Sequence, residues 1–153
     1  MLREFLDKLS EIGELREIDK EVDVELEISA ILSKLEKEGG PVPIFKNVKN
    51  KEIMRVTGNL ASTRERIALS LGIKEEEIIH HYMKALEKGG KVELVTEGAV
   101  KEVVRKGDNV DLGIIPALKY FEKDEGRYIT GGVVMYKDPE TGIRSSSIHR
   151  MKI

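Results

Sequence analysis

The sequence predicts an α+β fold, in which helices and strands alternate over residues 1–110 and a β-hairpin follows near the C-terminus. The chain has 153 residues, which corresponds to about one domain and is long enough to bury a hydrophobic core. Apolar residues recur at three- and four-residue steps in several segments, the period of an amphipathic helix. Short runs of apolar and β-branched residues lie between them and predict strands.

The elements of the first 110 residues follow from apolar spacing and from residues that cap or break helices. The predicted helices are residues 2–12, a helix from Asp23 to the Gly39-Gly40-Pro41 break, a helix from Ser62 or Thr63 to residue 71, and residues 74–87, which Gly89-Gly90 end. The predicted strands are residues 14–18, 42–48, 53–57, 92–96 and 100–105.

The C-terminal segment predicts a hairpin of strands 128–136 and 144–152. Asp138-Pro139-Glu140-Thr141-Gly142 has the residues of a type I turn followed by a glycine in the left-handed region. A two-stranded hairpin is only marginally stable by itself, and the sequence ends on its second strand. We therefore expect further chain or a partner to complete the sheet, and we interpret the 153 residues as a fragment.

Composition excludes several classes of function. The sequence has no cysteine, which excludes disulfides, iron–sulfur clusters, thiolate zinc sites and a cysteine nucleophile. A formal net charge of −2 argues against a nucleic-acid partner. No secretory leader or apolar run of membrane-spanning length is present, so we expect a cytoplasmic protein. The charged residues are mostly lysine and glutamate, and glutamine is absent, which is typical of a thermophile, although a strongly solvated surface would also explain it.

Candidate chemistry is concentrated on the last predicted strand. Ser145-Ser146-Ser147-Ile148-His149-Arg150 places polar groups on both faces, because successive side chains of a strand alternate. Arg150 is a permanently charged, forked donor suited to a carboxylate or a phosphate. The alternative is an edge strand made polar to prevent aggregation, on which Arg150 only pairs with a surface glutamate.

Two other features leave their alternatives open. Gly131-Gly132 within a predicted strand marks a close approach of backbone or ligand, or a β-bulge. His80 and His81 are adjacent on a predicted helix and point about 100° apart, so they cannot bind one metal ion together.

A series of short motifs runs through the chain in one order. The first are Leu2-Arg3-Glu4-Phe5-Leu6, Gly13-Glu14-Leu15, Glu21-Val22-Asp23, Gly39-Gly40-Pro41, Phe45-Lys46-Asn47-Val48 and Gly58-Asn59-Leu60. The later ones are Asp111-Leu112, Pro116, Asp124, Gly126-Arg127-Tyr128-Ile129-Thr130, Asp138-Pro139-Glu140-Thr141-Gly142 and Ile148-His149-Arg150. Together they resemble the N-terminal portion of the UbiD family of 3-octaprenyl-4-hydroxybenzoate carboxy-lyase-like decarboxylases.

This resemblance implies a non-oxidative decarboxylase that acts on an aromatic or α,β-unsaturated carboxylic acid. It implies prenylated FMN as cofactor, made by a partner flavin prenyltransferase, and a divalent metal, typically manganese, with potassium at the cofactor phosphate. It also implies a homo-oligomer of the full-length enzyme. Residues 1–110 would then form an N-terminal α/β domain, and residues 111–153 would begin a split β-barrel that binds the flavin.

The resemblance carries over residue by residue only on the last strand. Ile148, His149 and Arg150 match the family positions that line the prenylated flavin, and Arg150 matches the arginine of the catalytic acid network. Ser145 stands where the family has a metal-binding asparagine. Because a hydroxyl is a poorer neutral donor than an amide carbonyl, Ser145 would coordinate weakly or through water, or the phosphate would be held in another way.

Two questions stay open at the level of sequence. The 153 residues lack the family's later acidic residues, so we expect them to be inactive alone; the alternative function is a non-catalytic module or subunit that binds a partner completing the flavin barrel. The substrate is a polyprenyl-hydroxybenzoate or, in a thermophilic archaeon, an acid such as a mevalonate-pathway intermediate.

Overall fold

A computed structural model describes residues 2–51, 54–88 and 93–153. Its helices and strands, in chain order, are α1 (Leu2–Glu11), β1 (Leu15–Ile18), α2 (Glu27–Lys37), β2 (Val42–Phe45), β3 (Val56–Thr57), α3 (Arg64–Leu71), α4 (Ile78–Glu87), β4 (Tyr128–Lys137) and β5 (Arg144–Lys152). This mixture of helices, a small mixed sheet and a separate hairpin confirms the α+β prediction.

The first sheet has β2 in its centre. Leu15 of β1 lies opposite Val42 in a parallel pairing, and Val56 of β3 lies opposite Phe45 in an antiparallel one. Parallel neighbours need a crossover connection, which α2 supplies here. All four residues of β2 are buried, as expected for a central strand covered on both faces.

The hydrophobic core joins segments from distant parts of the chain. Its buried members are Val22, Val24, Ile28, Phe45, Val48 and Leu118. Leu118 comes from the segment that precedes the hairpin, and its neighbour Lys119 donates its N–H to the Val24 carbonyl at 3.0 Å. Residues near 118 therefore pack on the N-terminal sheet before the chain enters the hairpin.

Several helices and strands begin or end at the residues that local sequence signals predict. The side chain of Thr63, rather than Ser62, caps α3 by accepting a hydrogen bond from the Arg66 N–H at 3.2 Å. Gly72 ends α3 with a φ of 69°, a conformation that glycine adopts without steric cost. The hairpin strands also lie where the sequence predicts them, and β5 covers residues 144–152 as expected.

The start of α2 differs from the prediction. The helix begins at Glu27 and not at Asp23. Glu25 forms a β-bridge with Lys119, and the Leu26 N–H donates to the Lys119 carbonyl at 3.0 Å. The backbone of Leu26 has a φ of 67°, which a right-handed helix does not allow, so Val24 reaches the core from a turn before the helix and not from a helical stripe.

The prediction of a strand over residues 100–105 is wrong. Ala99–Lys101 forms one 3-10 turn, and Val100 and Val103 are strongly exposed. Such a segment becomes a strand only where a neighbouring backbone is available to pair with it. Residues 93–96 are likewise not in a strand, and the rest of the predicted strand 92–96 lies outside the described residues, as do Gly89-Gly90.

Three further elements are shorter than predicted. The strand predicted over residues 42–48 ends at Phe45. The strand predicted over residues 53–57 is limited to Val56–Thr57, and residues 52 and 53 lie outside the described part of the chain. The helix predicted over residues 74–87 begins with a 3-10 turn at Glu75–Glu77 and continues as α4. Throughout residues 2–51, 54–88 and 93–153, no helix combines the length and apolar character that a bilayer crossing requires.

Candidate functional site

The β4–β5 hairpin positions the predicted site residues through a β-bulge. Ile129 pairs with Met151, and Gly132 pairs with His149. Two residues of β4, Thr130 and Gly131, therefore oppose the single residue Arg150 of β5, which is the arrangement of a bulge. A Cβ atom added to Gly132 would meet the end of the Met151 side chain, whereas one added to Gly131 would meet nothing within 4 Å. The hairpin therefore contains the predicted bulge, and of the two glycines only Gly132 lies close to another side chain.

Arg150 has two defined contacts. Its Nη2 atom donates to Asp124 Oδ1 at 2.9 Å, and its Cζ atom lies 4.0 Å from the centroid of the Tyr128 ring. Tyr128 pairs with Lys152, so it is the diagonal cross-strand neighbour of Arg150. The side chain of Arg150 is 52% exposed, and its partner is a largely buried aspartate rather than the surface glutamate of the alternative interpretation.

Asp124 is held on both of its carboxylate oxygens. Oδ1 accepts from Arg150, and Oδ2 accepts from the backbone N–H groups of Tyr120 at 3.3 Å and Phe121 at 3.1 Å. Desolvation is the largest single influence and acts to raise the pKa of the carboxyl, but the hydrogen bonds from Phe121 and Arg150 together outweigh it. The pKa of Asp124 therefore lies below its ordinary value, and the carboxylate is charged at neutral pH.

Ile148 and His149 lie next to Arg150 on β5. Strand alternation places Ile148 on the same face as Arg150, with its side chain 75% exposed, and His149 on the other face. His149 Nε2 lies 2.7 Å from Ser147 Oγ, within hydrogen-bond distance. The strand thus presents an apolar side chain and a guanidinium on one face and a polar pair on the other.

Ser145, the predicted metal ligand, is exposed and lies opposite Tyr136 near the turn. The part of the chain that the structure describes contains no cluster of three or more histidine, aspartate or glutamate side chains arranged to bind a metal ion. The role of Ser145 as a metal ligand stays a prediction, in which its hydroxyl would be one weak neutral oxygen among the several that a divalent metal needs. His80 and His81 lie exposed on α4.

An open cavity of about 1040 Å³ adjoins the start of β4. Its walls come from α2, residues 55–59 and residues 115–122, and Tyr128 and Thr130 belong to its lining. The Tyr120 hydroxyl lies 3.1 Å from Thr130 Oγ1, which links the two walls. The Tyr128 ring therefore contributes both to the support of Arg150 and to the lining of this cavity.

Sequence reasoning missed the two residues that hold Arg150. Asp124 and Tyr128 each belong to a recognised motif, but nothing in the sequence indicates that they contact an arginine more than 20 residues later. One signal was available: Asp124 lies just before β4, and β4 must pair with β5, the strand that carries Arg150. That pairing brings the two segments together only in three dimensions.

Chemically, this arrangement leaves part of a guanidinium free to bind an anion. Of the three guanidinium nitrogens of Arg150, only Nη2 has a hydrogen-bond partner among the described residues. Nε and Nη1 are therefore able to donate to an anion such as a second carboxylate or a phosphate. The exposed side chain of Ile148, on the same face, offers an apolar surface for a planar ring.

Comparison with protein families gives the same assignment over both parts of the chain. Residues 6–86 match the 3-octaprenyl-4-hydroxybenzoate carboxy-lyase N-terminal domain, and residues 91–153 match the Rift-related domain of the same carboxy-lyases. The chain is 38% identical over 152 residues to the anhydromevalonate phosphate decarboxylase of Methanothermobacter thermautotrophicus, covering 99% of this chain and 34% of that relative. The enzyme of the same name from Methanosarcina mazei is 35% identical over 151 residues, covering 99% and 33%.

Solved structures agree with this relationship. An evolved dimeric form of the UbiD-class enzyme HmfF from Pelotomaculum thermopropionicum, in complex with prFMN, superimposes with a TM-score of 0.88 at 33% identity. That alignment covers 97% of this chain and 35% of the HmfF chain, so the 153 residues span about a third of the relatives that they match. The resemblance predicted from the motifs is confirmed, and the chain belongs to the UbiD family of carboxy-lyases.

Proposed function

We propose that the protein carrying this chain is a prenylated-FMN-dependent carboxy-lyase that removes carbon dioxide from an aromatic or α,β-unsaturated carboxylic acid. The observation that carries the proposal is the guanidinium of Arg150, held at Nη2 and with its remaining donors unpaired among the described residues. Family membership and the names of the relatives, which are decarboxylases, support it. The related HmfF structure in complex with prFMN supports the choice of cofactor.

Bound prenylated flavin would supply the electron sink that decarboxylation needs, and the protein would bind and orient the reactants. In this proposal Ile148 packs its exposed side chain against the flavin, and the flavin meets the backbone of His149, whose side chain lies on the opposite face of β5. Nη2 carries two N–H groups, and Asp124 takes one of them. In this proposal the other Nη2 N–H and its neighbour on the open edge of the guanidinium donate two parallel hydrogen bonds to the substrate carboxylate.

The resemblance to the family implies manganese and potassium at the cofactor phosphate, but no step of this proposal depends on either ion. Ser145 is the position that the family motif assigns to a metal ligand, and that role stays a prediction. The division into an α/β domain at residues 1–110 and the start of a flavin-binding domain at residues 111–153 stays a prediction. So do the flavin prenyltransferase partner, the homo-oligomer and the cytoplasmic location.

For the substrate we propose a phosphorylated, mevalonate-derived unsaturated acid. The support is the name of two relatives, anhydromevalonate phosphate decarboxylase, at 38% and 35% identity. A polyprenyl-hydroxybenzoate is the competing substrate. The two differ in a way that an assay resolves, because one is a small anionic acid and the other a long apolar one.

The test is an assay of the full-length protein, produced together with a flavin prenyltransferase. Release of carbon dioxide and formation of the decarboxylated product are measured by mass spectrometry, the product being an alkene from anhydromevalonate phosphate and a phenol from a polyprenyl-hydroxybenzoate. Turnover of the former, lost in Arg150→Ala, is the expected result. Turnover of neither acid, together with isolation of a stable complex between this chain and another subunit, would support the non-catalytic module instead.

A further inference from the structure

We propose that Asp124 is a positioning residue for Arg150, fixing the guanidinium so that its free edge faces the substrate carboxylate; this rests on the proposed role of Arg150. A flexible exposed arginine would have to be ordered each time a substrate binds. Asp124 and Tyr128 instead hold the side chain of Arg150 in advance. The inference concerns orientation, since Asp124 needs no contact with substrate or cofactor.

The carboxylate of Asp124 is suited to this role because it cannot rotate freely. Its two oxygens face opposite partners, Arg150 on Oδ1 and two backbone N–H groups on Oδ2. The side chain is only 13% exposed, so water does not readily replace these partners. Rotation of the carboxylate would break hydrogen bonds on both sides at once.

The segment that carries Asp124 is itself anchored to the N-terminal core. The Asp124 N–H donates to the Phe121 carbonyl at 3.0 Å, which closes a turn. The Lys119 N–H donates to the Val24 carbonyl at 3.0 Å, and Leu118 lies in the core cluster. The position of Asp124 is therefore set by packing on α2 and the first sheet, and not only by the hairpin.

Tyr128 supplies the second support. Its ring lies under the guanidinium at 4.0 Å, and its own N–H donates to the Leu118 carbonyl at 2.9 Å. One contact restrains the plane of the guanidinium, and the Asp124 contact restrains its rotation within that plane. The N–H groups that Asp124 does not take, at Nε, at Nη1 and the second one at Nη2, are then held in a fixed orientation.

The competing explanation is that Asp124 and Arg150 form a surface ion pair with no role in orienting the guanidinium. A neighbouring ion pair between the same two segments of the chain provides a matched control. Glu125 Oε2 lies 3.1 Å from Lys152 Nζ, one residue after Asp124 and two residues after Arg150. Both of those side chains are exposed. Loss of an exposed pair of this kind changes little, so Glu125→Gln measures the effect of removing an ion pair without removing the support of Arg150.

The experiment compares Asp124→Asn, Glu125→Gln, Arg150→Ala and the double variant D124N/R150A in the full-length enzyme loaded with prenylated FMN. An asparagine can accept a hydrogen bond on one side only, so it cannot serve Arg150 and the backbone N–H groups together. We expect Asp124→Asn to lower kcat/KM by about 10- to 100-fold with little change in melting temperature, because misplacement of about 1 Å costs about 100-fold. Glu125→Gln should match the unaltered enzyme, and D124N/R150A should be no slower than Arg150→Ala alone.

A second measurement needs no activity. Crystal structures of the unloaded full-length protein should show the Arg150 guanidinium ordered over Tyr128, and displaced from the ring in Asp124→Asn. If Asp124→Asn does not fold, Asp124→Glu replaces it, since it keeps the charge but moves the carboxylate by one methylene.

The outcomes separate the inference from the proposed function. If Arg150→Ala abolishes turnover while Asp124→Asn is as active as the unaltered enzyme, the positioning role is wrong and the proposed function stands. If Arg150→Ala retains normal turnover, the role of Arg150 in the proposed function is wrong. An unmoved guanidinium in the variant crystal structure would overturn the inference whatever the activity.

Discussion

Nη2 of Arg66 lies 2.8 Å from Glu14 Oε2 and binds α3 to the start of the first sheet. The same nitrogen donates to the Gly40 carbonyl at 2.7 Å, and Nη1 donates to Ser62 Oγ at 2.9 Å. The Arg66 side chain is only 8% exposed. The buried guanidinium of Arg66 therefore connects three segments of the chain, those that precede β1, β2 and α3.

Replacing Arg66 should destabilise the fold. Arg66→Met leaves the half-buried Gly40 carbonyl without its donor and removes the partner of Glu14, and an unsatisfied buried polar group costs about 1–3 kcal/mol. We expect the free energy of unfolding in urea to fall by about 2–3 kcal/mol, with little recovery in Arg66→Lys, because an ammonium lacks the forked geometry. Arg64→Met is the control. Arg64 lies on the same helix as Arg66, and its ion pair with Glu75 is exposed and should contribute less than about 1 kcal/mol. Equal effects of the two variants would contradict this assignment.

Leu118 should matter to stability far more than its place in a connecting segment suggests. It is 5% exposed and packs with Val22, Ile28 and Phe45. Leu118→Ala is expected to cost about 2–5 kcal/mol, as for other buried leucines. Leu112→Ala, at an exposed position of the same segment, should cost less than about 0.5 kcal/mol. Thermal unfolding of both variants makes the comparison, and a mild effect of Leu118→Ala would show that the segment does not pack on the core.

Arg150 should affect turnover and not stability. For the full-length enzyme we expect Arg150→Ala to lower the rate by about 100- to 1000-fold, the usual cost of removing a donor that acts in the transition state. The melting temperature should barely move, because the side chain is half exposed. Arg150→Lys should restore little activity, and Arg144→Ala on the same strand is the control for a lost exposed charge.

The turn of the hairpin should weaken in acid. Asp138 Oδ1 accepts from the Glu140 N–H at 2.8 Å and the Thr141 N–H at 3.2 Å, and these hydrogen bonds hold the pKa of the carboxyl below its ordinary value. The stabilisation is therefore complete above the pKa of the unfolded chain and is lost as the pH falls through the lower pKa of the folded protein.

Hydrogen exchange of the β4 and β5 amides, followed from neutral to acid pH, tests this expectation. Protection of the hairpin amides should decrease as Asp138 is protonated. Asp138→Asn should remove that pH dependence, because its amide oxygen can accept the same two hydrogen bonds without titrating. An identical acid response in the variant would assign the effect to another group.

Local residue chemistry was enough to predict part of this protein. The Thr63 cap, the Gly72 stop and the turn from Asp138 to Gly142 depend on contacts within a few residues, and all three are found where the sequence places them. The family was also identifiable from short motifs in order along the chain. Arg150 could be singled out because it follows a recognisable turn at a fixed spacing on a strand.

Other features were decided by residues far away in the sequence. The start of α2 depends on Lys119, which pairs with Glu25 and accepts a hydrogen bond from the Leu26 N–H just before the helix. Residues 100–105 have the composition of a strand but no neighbouring strand among the described residues. The support of Arg150 by Asp124 and Tyr128 likewise exists only after β4 and β5 have paired across a bulge. Sequence alone determined the elements whose hydrogen bonds close locally, whereas tertiary structure determined those whose backbone or charged groups find partners only after folding.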